Sequence, residues 1–418
     1  MEDTPITRQS SRILTINGGS SSIKFGLFQA GVDSPRRLLH GAIDRIGQKQ
    51  AMLQAEGPLP EDHVSKSVDA PDHAAAADAL MTYIEEHGAQ QAIGAVGHRV
   101  VHGGPEYWVP QRITAEMIDR LRAFSAFDPE HLPDEIALIE AFGRRFPGIP
   151  QVACFDTAFH RDLPLVARLL PIPRRYEAQG LRRYGFHGLS YAFIVEELAR
   201  AAGADVARGR LILAHLGSGA SLAAVRDGKS VDTSMGLTPA GGIPMSTRSG
   251  DLDPGLAGYL ARTEQMAPAQ FSDMVNFRSG LLGMSETSAD MRELIDLEAR
   301  DTRAAEAIAL FCYQVRKWIG AFAAALGGVD TLVFSGGIGE NAPEIRARIC
   351  DGLGFLGIAL DPQRNARHSP VISSDARGAE VRVVHTDEAV MIAKSVVTVL
   401  NLDEPAMAGA SRNAKPQA

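Results

Sequence analysis

The chain has 418 residues, 45% of them hydrophobic, so it can form two or three structural units with sizeable cores. Its net charge of −8 argues against general nucleic-acid binding, and its three cysteines show no CxxC spacing that would indicate a zinc site. No apolar stretch suits a signal peptide or a membrane span, so we expect a reduced cytoplasmic protein without membrane association. We also expect residues 1–11 and 404–418 to be disordered tails.

The first predicted element is a strand over residues 12–16, which leads into a turn of two glycines and three serines. A second strand-like run follows at residues 23–28. Glycine lets backbone N–H groups approach an anion closely, and hydroxyl groups add donors. The pattern predicts a phosphate-cradling hairpin, with an ordinary Gly/Ser turn as the alternative. It is not a Walker loop, because the GxxxxGK[ST] spacing is missing.

Strand-like and helix-like segments alternate along the chain, which predicts an α/β architecture. Residues 210–225 repeat the opening pattern of apolar run, Gly/Ser turn and apolar run, which predicts two related lobes. The longest predicted helix covers about residues 303–326 and ends at two glycines. A strand at residues 331–334 then opens into a Gly-rich turn typical of a nucleotide seat, and we expect Asn341 to cap the next helix.

Three further loops combine glycine with arginine or histidine, at residues 97–104, 183–188 and 246–251. Arginine in such a loop suits bidentate recognition of phosphate or carboxylate, although a surface ion pair is the alternative for each arginine. Asp156 and Glu388 each follow an apolar strand-like run. Carboxylates at strand ends are typical magnesium ligands or proton acceptors, with a helix cap as the alternative.

Taken in order, these motifs resemble those of the acetate kinase family, within the superfamily of acetate and sugar kinases, Hsc70 and actin. The matching runs are INGGSSSIKF, GHRVVHGG, FDTAFH, RYGFHG, HLGSGAS, DTSMGLTPAGGIPMSTRSGDLDP and FSGGIGEN, between residue 12 and about residue 400. The resemblance implies an α/β, two-lobed, ribonuclease H-like (actin-like ATPase) fold. Each lobe would hold a five-stranded sheet with flanking helices, with ATP and the carboxylate in an interlobe cleft. The expected first lobe is residues 12–158 with 389–403, and the second, which carries the adenosine site, is residues 159–388.

The same resemblance implies a homodimeric enzyme that transfers the γ-phosphoryl group of ATP reversibly to acetate, giving acetyl phosphate and ADP. The transfer would be direct and in line, and would depend on Mg²⁺ or Mn²⁺. Arg99 and Arg248 would bracket the carboxylate and the moving phosphoryl group, and His187 would donate to an equatorial oxygen. Asp156 would orient Arg99 or the acceptor. Since both substrates are anions and the acceptor is already ionised, such chemistry needs placed cations rather than a strong base.

Further binding roles are implied by the positions that match the family motifs. The implied metal ligands are Asn17 and Glu388, and the implied carboxylate-binding residues are Arg99, Val101, Glu130, Phe186 and Pro244. The implied ATP- and ADP-binding residues are Ser20, Ser22, Lys24, His215, Gly217, Ser218, Gly219, Asp290, Arg292, Gly336, Gly337, Ile338, Gly339 and Asn341.

The sequence departs from the family pattern at a few of these motifs. The changed positions outside the acceptor pocket are Leu189, Tyr191, Ser218 and Asp387. Glu130 takes the place of a leucine that helps to enclose the acetate methyl group. A carboxylate there would repel an anionic substrate unless it turns away or is neutralised. The replaced leucine also motivates an alternative acceptor, which is propionate or another small carboxylate. A nucleotide-binding relative without kinase activity is the third hypothesis.

Overall fold

The computed structural model describes residues 12–19, 22–31, 34–48, 50–86, 93–375 and 378–402. The two expected tails and Ser20 lie outside these residues. Within the described part of the chain, no helix is both long and apolar enough to cross a membrane.

The chain folds into two compact units. The first unit comprises the chain up to residue 100, residues 109–154 and the chain from residue 389 onward. The second unit comprises residues 101–108 and 155–388. The bounds of the two lobes that the family resemblance implies stay a prediction.

The first sheet has eight strands among the described residues, in the order β5-β4-β3-β2-β1-β6-β8-β7. β1 and β2 form an antiparallel hairpin, and β6 runs parallel to β1. The expectation of five strands is wrong for this sheet, because β4 and β5 extend its meander beyond β3 and the short β7 pairs with β8. The strands are β1 (Arg12–Gly18), β2 (Ser22–Gln29), β3 (Arg36–Asp44), β4 (Ala51–Glu56), β5 (Val64–Val68), β6 (Ile93–Val100), β7 (Gln111–Arg112) and β8 (Gln151–Phe155).

The second sheet has the order β11-β10-β9-β12-β13 over the residues described. β9 and β10 are antiparallel, whereas β12 runs parallel to both β9 and β13. This order repeats that of β3-β2-β1-β6-β8, so the predicted α/β class and the duplicated sheets are confirmed. The strands are β9 (Leu211–Leu216), β10 (Ala220–Arg226), β11 (Lys229–Thr233), β12 (Thr331–Ser335) and β13 (Glu380–Val383).

Helices flank both sheets, and α1 and α3 contribute Leu80, Tyr83, Leu138 and Phe142 to the core of the first unit. The predicted long helix is confirmed as α11, which ends where Gly327 takes a left-handed φ of 71°. The helices are α1 (His73–Glu86), α2 (Ala115–Phe124), α3 (Leu132–Arg145), α4 (Leu165–Arg168), α5 (Gly188–Ala202), α6 (Ala204–Arg208), α7 (Gly255–Thr263), α8 (Pro268–Phe277), α9 (Gly280–Ser285), α10 (Met291–Leu297), α11 (Thr302–Leu326), α12 (Gly336–Asn341), α13 (Pro343–Cys350), α14 (Pro362–Ala366) and α15 (Glu388–Val399).

Two buried histidines fix connections inside the units. Nε2 of His98 on β6 donates to Gln151 Oε1 at 2.6 Å. Nε2 of His160 donates to the carbonyl of Phe186 at 3.0 Å, directly before the RYGFHG histidine. Burial disfavours the charged imidazole and lowers the pKa of both His98 and His160 to about 4. These histidines are therefore neutral structural groups at neutral pH.

This burial predicts an acid-sensitive fold. An unfolded histidine binds a proton near pH 6.5, whereas the folded ones bind it only near pH 4, so the free energy of unfolding falls as the pH drops between these values. We expect roughly 2 kcal/mol of lost stability per histidine between about pH 7 and about pH 5. Urea unfolding across this range measures the slope. His160→Gln should flatten the slope, and an unchanged slope in this variant would contradict the account.

Candidate functional site

The tip of the first hairpin carries the first group of predicted ligands. Asn17 on β1 lies opposite Lys24 on β2, and the N–H of Gly19 donates to Ser22 O at 2.7 Å. Asn17 and Ser22 are half-buried, whereas Lys24 is exposed. The predicted hairpin is thus confirmed, and its role in phosphate binding stays a prediction.

The Arg99 side chain is held at this hairpin tip by α3. Its Nη1 donates to the carbonyl of Gly18 at 3.2 Å and to Glu135 Oε1 at 3.2 Å. Both side chains are well buried, with Arg99 14% and Glu135 4% exposed. A cation fixed by a buried carboxylate presents its remaining donors in a set direction.

Glu135 was missed in the sequence, because an acidic residue in the first turn of a helix usually faces solvent. The apolar spacing carried a usable signal. Leu132, Ile136 and Ile139 lie at the helical spacing that places Glu135 on the buried face of α3.

A second contact joins the hairpin to α1 and α3. Nε2 of His73 donates to the carbonyl of Gly19 at 2.7 Å, and its Nδ1 lies 3.5 Å from Asp134 Oδ2. Glu130 is half-buried and lines a small cavity with these groups and Gly18. Helix α3 therefore supports both the hairpin tip and Arg99.

In the second unit, the HLGSGAS turn joins β9 to β10 and contacts two other loops. A Cβ atom at Gly336 would lie 2.7 Å from the carbonyl oxygen of Leu216, and Gly336 has a φ of +74°, so this position requires glycine. The carbonyl of Ser218 accepts from Ser246 N at 3.2 Å. The turn therefore lies against both the Gly-rich loop after β12 and the arginine loop at residues 246–251.

His187 and Arg248 both approach the same glycine of this turn. A Cβ atom at Gly219 would lie 3.2 Å from His187 Nε2 and 3.5 Å from Arg248 Nη1. His187 takes a left-handed φ of 57° at the start of α5, and the next residue, Gly188, donates its N–H to the carbonyl of Asp156 at 2.9 Å. Asp156 is fully buried. The structure thus brings an imidazole and a guanidinium to the Gly-rich turn.

His187, His215 and Glu388 have potential ligand atoms within 4.8 Å of one another. The two imidazole rings are stacked, with centroids 4.5 Å apart and planes inclined by 21°. Since the lone pair of an imidazole nitrogen lies in the ring plane, these rings do not point at one shared ion. Glu388 offers a carboxylate oxygen, and Mg²⁺ commonly binds one carboxylate together with water and substrate phosphates. Among these three residues, Glu388 is therefore the one that could hold a magnesium ion.

The Gly-rich loop after β12 forms the short helix α12. Asn341 is its last residue, and Asn341 Nδ2 donates to the carbonyl of Gly337 at 2.9 Å. The prediction that Asn341 caps the following helix is wrong, because its side chain turns back onto α12 and Ala342 occupies the cap position of α13. Gly337 and Asn341 are exposed, and Ile338 is half-buried.

Arg346 on α13 underpins this loop and was also missed in the sequence. Its Nη1 donates to the carbonyls of Gly339 at 2.8 Å and Glu340 at 2.9 Å, and its Nε donates to Asn365 Oδ1 at 2.8 Å. Arg346 is 0% exposed, and burial lowers its pKa to about 10. The hydrogen bonds of Arg346 therefore hold the C-terminal end of α12 in place.

Other predicted residues lie in ordinary structural positions. Asp290 caps α10 and pairs with the exposed Arg292 at 2.6 Å, which lowers the pKa of Asp290. Val101, Phe186 and Pro244 are buried in the second unit. Their proposed contacts with adenosine and acceptor stay predictions.

Comparison with known proteins decides the family. Residues 12–394 match the model of the acetokinase family. The chain belongs to the acetokinase family. An acetate kinase of Rhodopseudomonas palustris is 43% identical over 393 residues, covering 93% of this chain and 98% of that protein.

Propionate kinases are also similar to this chain. One from Citrobacter rodentium is 40% identical over 408 residues, which cover 96% of this chain and 100% of that protein. The solved structure of a propionate kinase from Francisella tularensis superposes with a TM-score of 0.86 at 36% identity, covering 92% of this chain and 98% of that one. The predicted family and fold are therefore confirmed.

The pairing of Arg99 with Glu135 predicts strong energetic coupling between them. Removing one partner of a buried ion pair costs about 3 kcal/mol, because the other charge stays in a desolvated position. We expect Glu135→Ala and Arg99→Ala each to lower the free energy of unfolding, and the double variant to lose clearly less than their sum. Urea unfolding of the four proteins measures the coupling, with Glu116→Ala on α2 as an exposed control. Additive losses would contradict the pairing.

Proposed function

We propose that this member of the acetokinase family is an ATP:acetate phosphotransferase that makes acetyl phosphate and ADP, and that it also catalyses the reverse reaction. The observation that carries the proposal is the approach of His187 and Arg248 to the same glycine, Gly219, in a Gly-rich turn whose Leu216 carbonyl also lies against Gly336. Positive and hydrogen-bond-donating groups at such a turn suit a phosphoryl group in transfer.

The proposed reaction is a direct in-line transfer. A carboxylate oxygen of acetate attacks the γ-phosphorus as the bond to the ADP oxygen breaks, so no covalent intermediate with the protein forms. Acetate is ionised at neutral pH, and no proton has to be removed. The task of the protein is therefore to overcome the repulsion between two anions and to align them.

Within this proposal each charged residue has a stated role. Arg248 and His187 stabilise the equatorial oxygens of the phosphoryl group, and Arg99 binds the acceptor carboxylate in an orientation set by Glu135. Asp156 is proposed to orient the acceptor or Arg99. Glu388 is proposed to hold Mg²⁺ or Mn²⁺, which would neutralise phosphate charge. The role of Asn17 at the metal rests on the family resemblance.

A homodimer and a cytoplasmic location belong to the same proposal. Large apolar side chains near α4 face solvent in this chain, with Leu165 52%, Val166 86% and Ile172 43% exposed. A surface of this kind supports burial against a second copy. The need for ATP supports a cytoplasmic location.

The sharpest test of the activity uses Arg248→Ala. Losing one donor to the transition-state charge is expected to lower turnover by about 10²–10³-fold while the chain stays folded. Trapping of acyl phosphate by hydroxylamine, with ATP, Mg²⁺ and acetate, measures the rate. Arg262→Ala on α7, which removes an exposed arginine, is the matched control. Near-normal turnover in Arg248→Ala would contradict the role of this arginine.

The same assay with propionate and butyrate separates the acceptor hypotheses. A higher kcat/KM for acetate than for propionate supports the proposal, and the opposite order makes the enzyme a propionate kinase. Absence of acyl phosphate from every acid at high enzyme concentration would contradict the kinase proposal itself.

A further inference from the structure

The Glu340 carboxylate connects the Gly-rich loop after β12, which forms α12, to the segment that precedes Glu388. Its Oε1 accepts from the N–H of Gly336 at 2.8 Å and from the N–H of Thr386 at 3.2 Å. Its Oε2 lies 2.8 Å from His385 Nδ1. The side chain is only 14% exposed. One buried carboxylate thus holds two backbone segments that are far apart in the sequence.

Further hydrogen bonds connect this segment to the HLGSGAS turn between β9 and β10. The hydroxyl of Thr386 donates to Ser190 Oγ at 2.9 Å, and Ser190 Oγ lies 2.8 Å from His215 Nδ1. His215 in turn stacks on His187. All of these residues belong to the second unit. The hydrogen bonds therefore link the start of α12, the residues before α15 and the end of β9.

We propose that Glu340 is a positioning residue that couples nucleotide binding to metal binding. Glu388 lies only two residues beyond Thr386, so the backbone position that Glu340 fixes also sets where the Glu388 carboxylate lies relative to Gly336. A nucleotide whose phosphates carry the metal needs both segments in register within a few tenths of an ångström. The inference rests on the proposed function for the identity of nucleotide and metal.

A purely local role for Glu340 makes a different prediction. If Glu340 only stiffened α12, its loss would lower the affinity for ADP by the same factor with and without Mg²⁺. If it couples the two segments, its loss removes mainly the part of the affinity that Mg²⁺ adds. Charge-assisted hydrogen bonds to two backbone N–H groups are strong enough for an effect of about tenfold.

Calorimetric titration with ADP, in Mg²⁺ and in EDTA, tests the inference without relying on turnover. For the unaltered chain we expect a higher affinity in Mg²⁺, and for Glu340→Ala we expect the ratio of the two affinities to fall by about tenfold. Glu340→Gln keeps an oxygen that can accept from Gly336 and Thr386, and should restore part of the ratio. Glu344→Gln, in the first turn of α13, is the matched charge-removing control.

His385→Ala gives a second measurement at an exposed position, in case Glu340→Ala does not fold. It removes only the contact at Oε2 and should lower the ratio by roughly twofold to threefold, a part of the full effect. The inference would be overturned if the variants lost the same factor of ADP affinity in Mg²⁺ and in EDTA. It would also be overturned if the ratio of the two affinities stayed unchanged in every variant at position 340 or 385. Thermal unfolding without nucleotide checks that each variant is folded.

The outcomes also separate this inference from the proposed function. Acyl phosphate formation by the unaltered chain, with a ratio that Glu340→Ala and His385→Ala leave unchanged, contradicts only the coupling role. The opposite result contradicts only the kinase proposal. In that case the unaltered chain forms no acyl phosphate, but its ADP affinity depends on Mg²⁺ and this dependence is lost in Glu340→Ala.

Discussion

The close approach of Gly336 to the carbonyl of Leu216 is the constraint on which the site of the second unit depends. β9 and β12 run parallel, with Ser335 opposite His215, so the first residue after β12 meets the last residue of β9. A side chain at position 336 would fill the space that the Leu216 carbonyl occupies. This contact places the start of α12 directly against the HLGSGAS turn, and Glu340 and Arg346 hold the two ends of α12.

A second theme is how an acidic chain can handle anions. A net charge of −8 disfavours anions in general, so their binding relies on a few placed cations. The structure gives such cations fixed partners: Glu135 holds Arg99, and Pro239 O accepts from Arg248. Arg183 donates to three consecutive carbonyls at residues 233–235. These contacts fix where each guanidinium lies, which is what the proposed electrostatic stabilisation of a transferring group requires.

Features that depend on local sequence could be predicted. The two hairpins follow from apolar runs around Gly/Ser turns, and the helix expected at about 303–326 is observed as Thr302–Leu326 because its apolar residues follow the helical period. The supporting residues could not be predicted in this way. Glu135 and Arg99 are 36 residues apart, and Glu340 and Thr386 are 46 apart, so their pairing exists only after the sheets have formed. The extra strands of the first sheet were missed for the same reason, because strand pairing is a tertiary property.

Hydrogen–deuterium exchange with and without Mg·ADP tests the central claim most directly, because it needs no variant. The account predicts slowed exchange in three segments together, namely residues 215–221, 336–341 and 385–388, with residues 165–172 unchanged. Protection that spares the segment 385–388 in the presence of Mg²⁺, or that appears in none of the three, would contradict a nucleotide site built from these loops.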